Sequence, residues 1–464
     1  MVYDALIIGA GLSGLAAGIR LAMFDLKVCI VEKHTEIGGL NSFYKRKHRI
    51  FDVGLHAITN YTPKGTRSSP LGKILKQLRF SHDDFKLCQQ QVSEIRFPEK
   101  TLRFSNEFDF FIQEIHEQFP RQIDGFQKLL KQILAFNELS LDNQIGLSAR
   151  QMLENCLSDP LLADMLCCPL MYYGNAREND MDFYQFVIMF KSIFMEGFAK
   201  PAGGMPYILN LLVNKYKSLG GELRLGKAVV SIDTQKENAL TLSDGGEILR
   251  GKQVISSMGY VETLRLCQPS VAKESEQTPG QVSFMESIFV LNRQPKDLGY
   301  NRSIVFYCTQ PKFQYRVPAV PVDISSGVLC CSNNFNYPEP LPEGVIRITN
   351  LANFGLWNEL PRKEYKEAKK AWREQAIQQL LGYFPDFRDS VVFSDTFTPK
   401  TVFKYTGHIN GAVYGSPNKI KNGVTPVKNL FICGTDQGFL GIIGATLSGI
   451  SMANLHVLKE KTTP

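Results

Sequence analysis

A glycine-rich stretch near the start of the chain constrains the fold more than any other feature. Gly9, Gly11 and Gly14 form the pattern G-x-G-x-x-G directly after an apolar run over residues 6–8. In such a turn the first glycine permits a tight reversal, the second lets a ligand approach the backbone, and the third lets a helix pack closely on the strand. The pattern therefore predicts a strand, a turn and a helix whose first N–H groups point toward an anionic group.

The residues after this turn extend the same unit. A second apolar strand is predicted over residues 27–31, and it ends at Glu32, which lies 23 positions after Gly9. An acidic side chain at this distance is typical of a contact with the ribose of a dinucleotide, and it disfavours a 2′-phosphate. The sequence therefore predicts a Rossmann-like dinucleotide-binding domain. A glycine-rich turn in another kind of α/β protein is the alternative.

Composition narrows the class of protein further. A chain of 464 residues that is 44% hydrophobic and 21% charged is expected to form two domains around a sizeable core. The net charge of +7 is compatible with an anionic membrane surface, and a basic balance without functional consequence is the alternative. The basic residues are scattered and form no nucleic-acid-binding motif. The seven histidines and ten cysteines lack metal-ligand or disulfide spacing, so we expect no metal site and reduced thiols, as in a cytoplasmic protein.

Hydropathy and periodicity predict the domain organisation. No run of 18 or more apolar residues is present, so we expect any membrane contact to be peripheral. Residues 66–200 are largely helical in pattern, and strand–helix alternation returns after residue 200. The predicted FAD- or NAD-binding domain is therefore discontinuous and comprises residues 1–80, 200–270 and 396–464. An α+β substrate-binding domain is predicted over residues 81–199 and 271–395.

Four separated segments resemble one known family. The first contains E-K-x4-G-G, from Glu32 and Lys33 to Gly39, and the second is F-D-V-G-L-H at residues 51–56. The third is G-G-M at residues 203–205. The fourth runs from Y-T-G at 405–407 through C-G-T-D at 433–436 to the glycines at 441 and 444. In this order they resemble the phytoene desaturase, carotenoid isomerase and retinol saturase branch of the flavin amine oxidase superfamily.

The resemblance implies FAD as the cofactor and an amine-oxidase-type FAD-binding domain. It implies that Asp436 accepts a hydrogen bond from the ribityl chain, although Asp436 could instead cap a helix. It also implies that the backbone of Val229 pairs with adenine and that Gly54 and His56 lie near the isoalloxazine. The positions that match the family's FAD site are Gly9, Gly11, Leu12, Ser13, Gly14, Glu32, Lys33, Gly39, Leu40, Gly54, His56, Val229, Gly434, Asp436 and Gly444.

The implied function is that of an FAD-dependent oxidoreductase acting on C–C bonds of an apolar isoprenoid or polyene lipid, in the manner of a carotenoid or phytoene desaturase. A carotenoid cis–trans isomerase, a retinol-saturase-like enzyme and a hydroxysqualene oxidoreductase are alternatives. His56 is the candidate catalytic acid or base, and a structural hydrogen-bonding role is its alternative. Such an enzyme is expected at the cytoplasmic side of a membrane, peripherally attached, because its substrate is dissolved there.

Two further interpretations come from other functional classes. A flavin amine oxidase would require an aromatic cage and a lysine-held water, and the sequence places neither. A prenyl-protein chaperone of the GDP-dissociation-inhibitor type would share the architecture without flavin, which the retained Gly9, Gly11, Gly14, Glu32 and Asp436 disfavour. The Phe- and Met-rich residues 181–198 fit equally a buried core helix and a wall for a long apolar ligand.

Overall fold

The computed structural model describes residues 2–136, 146–235, 239–242, 245–271 and 278–459. Within these ranges the strands are β1 (Val2–Ile8), β2 (Val28–Val31), β3 (Phe43–Arg46), β4 (Arg49–Asp52), β5 (Leu87–Gln89), β6 (Ser93–Arg96), β7 (Thr101–Phe104), β8 (Ala199–Pro201), β9 (Glu222–Arg224), β10 (Val229–Asp233), β11 (Ala239–Leu242), β12 (Ile248–Ser256), β13 (Cys267–Gln268), β14 (Ser283–Leu291), β15 (Ile304–Cys308), β16 (Ser326–Cys331), β17 (Gly344–Ala352), β18 (Val391–Phe397) and β19 (Leu430–Ile432).

Helices connect and cover these strands. They are α1 (Leu12–Ala22), α2 (Pro70–Leu78), α3 (Phe108–Gln118), α4 (Ile123–Ala135), α5 (Ala149–Glu154), α6 (Pro160–Gly174), α7 (Phe183–Phe190), α8 (Gly204–Ser218), α9 (Tyr260–Arg265), α10 (Phe354–Glu359), α11 (Arg362–Leu380), α12 (Pro399–Thr406) and α13 (Gly441–Met452). Two of them, α7 and α13, continue as π-helical turns over Lys191–Met195 and Ala453–Leu458.

The first sheet has the order β13-β10-β11-β12-β1-β2-β9, and β19 also pairs with β12. Strand β1 runs parallel to both β2 and β12, and β12 runs parallel to β19. Because both faces of β1 are covered, Leu6 and Ile7 are fully buried, as is usual for a parallel strand. The predicted α/β fold is confirmed, since three distant parts of the chain build this one sheet. The predicted domain limits stay predictions.

The second sheet has the order β18-β14-β17-β16-β15-β6-β7 and is antiparallel except for the β15–β6 pair. Strands β6 and β7 form an antiparallel hairpin. One face of this sheet packs on the helices α3 to α7 through an aromatic core, and the other face packs on α11. The sheet therefore holds the helical part of the chain against the dinucleotide-binding sheet.

The Phe-rich residues 181–198 contribute mainly to this aromatic core. Phe186, Phe190, Phe194 and Phe198 are fully buried. The ring of Phe194 stacks on Phe111 with the centroids 4.3 Å apart. The core-helix interpretation therefore accounts for the phenylalanines of this segment.

The last helix is long and apolar. Residues 441–458 reach 18 residues with a mean hydropathy of 1.4, which meets the length and composition of a membrane span, and no other described helix does so. However, 61% of this segment is buried inside the structure, where it packs on α1 and α2. We interpret it as a core helix of the dinucleotide-binding domain.

Candidate functional site

A cleft opens at the edge where the parallel strands of the first sheet end. The carboxyl ends of β1, β2 and β12 meet there, and the start of β10 and the end of β19 complete the rim. Ligands of open α/β sheets bind at this edge, because the loops after adjacent strands diverge and leave a crevice. The cleft is therefore the candidate cofactor site.

The glycine turn forms the floor of this cleft. Gly11 occupies the N-cap position of α1, and a Cβ added there would meet no atom within 4 Å, so it would project into open space. A Cβ on Gly9 would lie 2.4 Å from Ser257 Oγ, and one on Gly14 would lie 2.0 Å from the carbonyl oxygen of Gly9. Gly11 thus leaves room for a ligand, Gly9 permits the tight turn, and Gly14 lets α1 pack on β1, as their spacing predicts.

Glu32 lies at the end of β2 and faces the same cleft. Its Oε2 accepts the Ala10 N–H at 2.8 Å, and its Oε1 accepts the His34 N–H at 2.9 Å. A carboxylate has about four acceptor positions, so lone pairs remain for the hydroxyls of a ribose. This geometry suits the ribose contact that the sequence predicts for Glu32.

The paired glycines after β2 form the side wall. Gly38 donates its N–H to the Ala10 carbonyl at 2.9 Å, and both Gly38 and Gly39 have positive φ angles, of 105° and 56°. Only glycine adopts such angles at little cost, so the loop can pass beside Gly11 without side chains. The backbone is therefore exposed to a ligand along this wall.

The structure brings most of the predicted cofactor residues together. Those that line the cleft are Gly9, Gly11, Leu12, Ser13, Glu32, Lys33, Gly39, Leu40, Val229 and Gly434. Gly14 lies beneath the cleft as a packing position. Four predicted residues, Gly54, His56, Asp436 and Gly444, do not line the cleft, and their roles toward FAD stay predictions.

Asp436 is buried behind the cleft rather than exposed in it. Its Oδ2 accepts the Tyr260 N–H at 2.6 Å, its Oδ1 accepts the Ser416 N–H at 2.8 Å, and Lys419 Nζ lies 4.0 Å from Oδ1. Burial lowers the pKa of Lys419 to about 8, although the charge of Asp436 opposes that shift. Asp436 therefore ties together three loops at the carboxyl edge of the sheet.

Gly444 lies on a different face of α13 from the cleft. It lines a second groove, whereas the next residue, Ala445, lines the cofactor cleft. Its apolar lining comes mainly from α13 and the α7 segment, and polar side chains also line it: Ile188, Met189, Leu440, Ile443, Leu447, Lys73, Lys191 and Glu196. Helix α13 thus lies between the cofactor cleft and this groove.

His56 contacts a buried charge cluster of the second sheet. Its Nε2 lies 3.1 Å and 3.2 Å from the two carboxylate oxygens of Glu286, and 3.0 Å from Thr349 Oγ1. Arg347 Nε donates to Glu286, and its two terminal nitrogens donate to the carbonyls of Val53 and Leu55. This cluster therefore anchors the segment around Gly54 and His56 to the second sheet.

The pKa values of Glu286 and His56 in this cluster are shifted from their ordinary values. Burial alone would raise the pKa of Glu286, but the positive charge of Arg347 and the contacts with His56 and Thr349 lower it to about 2. Burial lowers the pKa of His56, and the charge of Glu286 opposes that shift. At neutral pH the cluster thus holds an ionised carboxylate beside a neutral imidazole.

Several cleft residues escape prediction from the sequence. Ser257 and Met258 follow β12, Lys227 and Ala228 precede β10, and Thr435 follows β19. Ser257 donates its Oγ–H to the carbonyl oxygen of Ile8 at 2.9 Å and so joins the ends of two strands. The sequence signal that could have identified Ser257 is the apolar run of β12 before it, because the carboxyl ends of neighbouring parallel strands share one edge of the sheet.

The residues of the cleft fit FAD. An open backbone cradle at Gly11, the N-terminus of α1 and an acidic residue at the end of β2 match a pyrophosphate and a ribose. Among the described residues, no group of three or more His, Cys, Asp or Glu side chains is placed to hold a metal ion. All ten cysteines are free thiols, and nine of them are buried. Fold and cleft together define an α/β protein that binds a dinucleotide such as FAD.

The chain belongs to the flavin containing amine oxidoreductase family, whose model matches residues 12–455. It is 23% identical to prolycopene isomerase 2 of an Oncidium hybrid cultivar, over 97% of this chain and 83% of that protein. It is 22% identical to all-trans-retinol 13,14-reductase of Danio rerio, over 98% and 87% respectively. The lycopene-forming phytoene desaturase of Pantoea ananas is 27% identical over 61% of this chain and 62% of its own length.

Solved structures share the fold at lower identity. An oxidoreductase from Methanosarcina mazei superposes with a TM-score of 0.69 at 16% identity, covering 96% of this chain and 99% of that one. Putrescine oxidase bound to putrescine superposes with a TM-score of 0.65 at 16% identity, covering 98% of each chain. The solved structures confirm the fold, and the family model confirms the predicted family, the enzyme class and FAD as the cofactor.

Proposed function

We propose that this enzyme acts on C–C bonds of an apolar polyene isoprenoid, with desaturation as the leading reaction and cis–trans isomerisation or saturation as the alternatives. The relatives that cover nearly the whole chain are named for prolycopene and retinol, and a partial relative is named for phytoene. These three compounds are long or conjugated isoprenoids. The proposal rests on this shared substrate class and on the groove described next.

The observation that carries the proposal is the apolar groove beside the cofactor cleft. Gly444 and Ala445 are neighbours in α13, yet the first lines the groove and the second lines the cleft. A groove walled by Ile188, Ile443 and Leu447 suits a hydrocarbon chain, because burial of its surface is favourable. A lipid in this groove would lie against the helix that starts beside the cofactor.

Each group then has a separate task. When bound, FAD accepts or supplies a hydride, and the turn around Gly11 and Glu32 holds its pyrophosphate and ribose. His56, which lines neither the cleft nor the groove, is the candidate group that takes or gives the accompanying proton. The apolar lining of the groove orients the chain of the lipid and excludes water from it.

Lipid mass spectrometry tests this proposal. The protein is expressed in hosts that accumulate squalene, phytoene or a poly-cis carotene, or is supplied with retinol, and extracts are compared with those of a Gly11→Val control. Loss of paired hydrogens supports a desaturase, and gain of paired hydrogens supports a saturase. Unchanged mass with altered retention and absorption supports an isomerase. No change in any lipid, together with oxidation of a polyamine, would overturn the proposal in favour of an amine oxidase.

We also propose that the protein binds membranes peripherally. Its substrate would be dissolved in the bilayer, and the net charge of +7 favours an anionic surface. We expect the FAD-loaded protein to sediment with vesicles that contain anionic lipid and to be released by high salt. Recovery of all the protein in the supernatant at low salt would contradict this attachment.

A further inference from the structure

A buried ion pair lies directly behind the segment that carries His56. Glu286 in β14 and Arg347 in β17 are joined through Arg347 Nε, and each side chain is only 4% exposed. Burial of two charges costs free energy that the pair does not always recover, so such pairs often serve specificity or function. Both side chains of this pair also form hydrogen bonds with the segment around His56. The His56 side chain is 11% exposed.

The contacts define which ring nitrogen of His56 carries the proton. Both carboxylate oxygens of Glu286 lie within 3.2 Å of Nε2, and an ionised carboxylate can only accept a hydrogen bond. Thr349 Oγ1 donates to the same carboxylate at 2.6 Å and so fixes its orientation. The neutral imidazole is therefore held with its proton on Nε2 and a lone pair on Nδ1.

The other neighbours of His56 leave Nδ1 available. Lys200 Nζ donates to the Leu55 carbonyl at 3.2 Å, and Cys330 Sγ lies 3.7 Å from the His56 carbonyl oxygen, so both contact the backbone rather than the ring. The ring of Tyr173 lies 6.1 Å from the imidazole, centroid to centroid. Its hydroxyl is buried and has no partner among the described residues. A polar group is thus left unsatisfied beside the imidazole.

We infer that Glu286 is a positioning residue that acts through His56, holding the proton on Nε2 and leaving Nδ1 to exchange a proton with the reacting carbon of the lipid. The inference rests on the proposed function. In desaturation one carbon would give its proton to Nδ1, the C–H electron pair would become part of the new double bond, and the neighbouring carbon would lose a hydride, for which bound FAD would supply the two-electron oxidant. In saturation both transfers are reversed, and the imidazolium returns its proton to carbon.

The charge of Glu286 should control the protonation of His56. The charged groups that face the ring are Glu286, which favours the imidazolium, and Arg347 and Lys200, which disfavour it. In a variant without the Glu286 charge, only the cations Arg347 and Lys200 act on the ring, and both disfavour the imidazolium. The midpoint of His56 protonation should then fall by about 1 to 3 pH units.

The chain offers a matched control in the same sheet. Glu94 in β6 is 2% exposed and pairs with Arg96 Nε at 2.6 Å and with Arg302 Nε at 3.0 Å. It thus provides a buried carboxylate that pairs with arginine and has no histidine partner, although its arginines are 32% and 33% exposed and Arg347 only 4%. Glu94→Gln therefore reproduces the structural cost of losing such a charge, and any effect confined to Glu286→Gln reports on His56.

The test is an NMR titration of FAD-loaded protein labelled with ¹⁵N-histidine, in which the His56 signals are assigned by their loss in His56→Gln. We expect the Nε2–H tautomer in the unchanged protein, a lower protonation midpoint in Glu286→Gln, and no change in Glu94→Gln. The His56-dependent limb of the pH–rate profile should move to lower pH by the same amount, whichever direction the reaction takes. An unchanged His56 titration in Glu286→Gln would overturn the inference.

A second variant covers the case in which Glu286→Gln does not fold. Glu286→Asp keeps the charge beside Arg347 but withdraws the carboxylate from Nε2. We expect kcat to fall more than KM changes, and part of the His56 signal to shift to the Nδ1–H tautomer. A wild-type His56 signal in this variant would overturn the inference. If the NMR results are as expected but no lipid is converted, the proposed function is overturned, and the Glu286–His56 coupling remains.

Discussion

A side chain at position 11 would occupy the space that a pyrophosphate needs. The Cβ of a residue here would project into the open cleft, and the backbone φ of −70° is one that any residue adopts. Gly11→Val should therefore fold normally and lose FAD, which is measured by the visible flavin absorbance of the purified protein. Gly382→Val, at an exposed position where a Cβ meets only the Gln379 oxygen at 3.9 Å, should stay yellow. A fully yellow Gly11→Val protein would contradict the site assignment.

Asp436 offers a prediction that separates stability from cofactor binding. Its carboxylate accepts the backbone N–H groups of Tyr260 and Ser416. Asp436→Ala should lower the free energy of unfolding by about 1 to 3 kcal/mol for each donor left without a partner. Because these loops border the cleft, FAD retention should also weaken. Urea unfolding and an FAD dissociation constant measure the two effects, and unchanged values for both would refute this role.

Site residues that belong to a short sequence motif were predictable from the sequence. Site residues that are defined by a contact with a distant part of the chain were not. The glycine spacing and the position of Glu32 depend on local geometry, which any strand–turn–helix unit repeats. His56 could be singled out only as a histidine in a familiar segment. Its partner Glu286 lies 230 positions away in β14, and nothing local marks a buried carboxylate.

At the scale of elements, the contact between α1 and α13 shapes the cofactor site. A Cβ on Gly449 would lie 2.0 Å from the carbonyl oxygen of Ser13, so the two helices touch through backbone. Gly449→Ala should force them apart, cost about 1 to 3 kcal/mol of stability and weaken FAD binding through the displaced start of α1. Thermal unfolding with and without FAD measures both. Ser451→Ala, on the same helix, should change neither, and equal effects of the two variants would contradict this contact.

The first residue of a strand or helix depends on tertiary contacts as well as on the local sequence. Strand β10 begins at Val229 inside a longer apolar run, and the run alone does not decide which residue starts the strand. Helix α8 begins at Gly204, where Asp52 accepts the Met205 N–H at 2.9 Å and caps the first turn. That cap comes from β4, more than a hundred residues away in sequence, and so no local helix-start signal was available.

At the scale of the whole molecule, the buried cluster should make stability depend on acidity. The pKa of Glu286 is lowered from 4.5 to about 2, so between these values the unfolded chain binds more protons than the folded protein. The stability that ionised Glu286 contributes, about 3 kcal/mol by linkage, is complete above pH 4.5 and is lost as the pH falls toward about 2. Urea unfolding across this range should show a shallower decline for Glu286→Gln than for Glu94→Gln, and parallel declines would contradict it.

The assembly of the first sheet has a consequence for how the enzyme is made. Strand β1 is synthesised at the start of the chain, whereas β19 and α13 begin only at Leu430 and Gly441. A nascent chain on the ribosome therefore carries the glycine turn long before Gly434 and the helix that supports α1 have emerged. Flavin capture must wait until translation has passed these residues, and a chain truncated before Leu430 should accumulate as colourless protein.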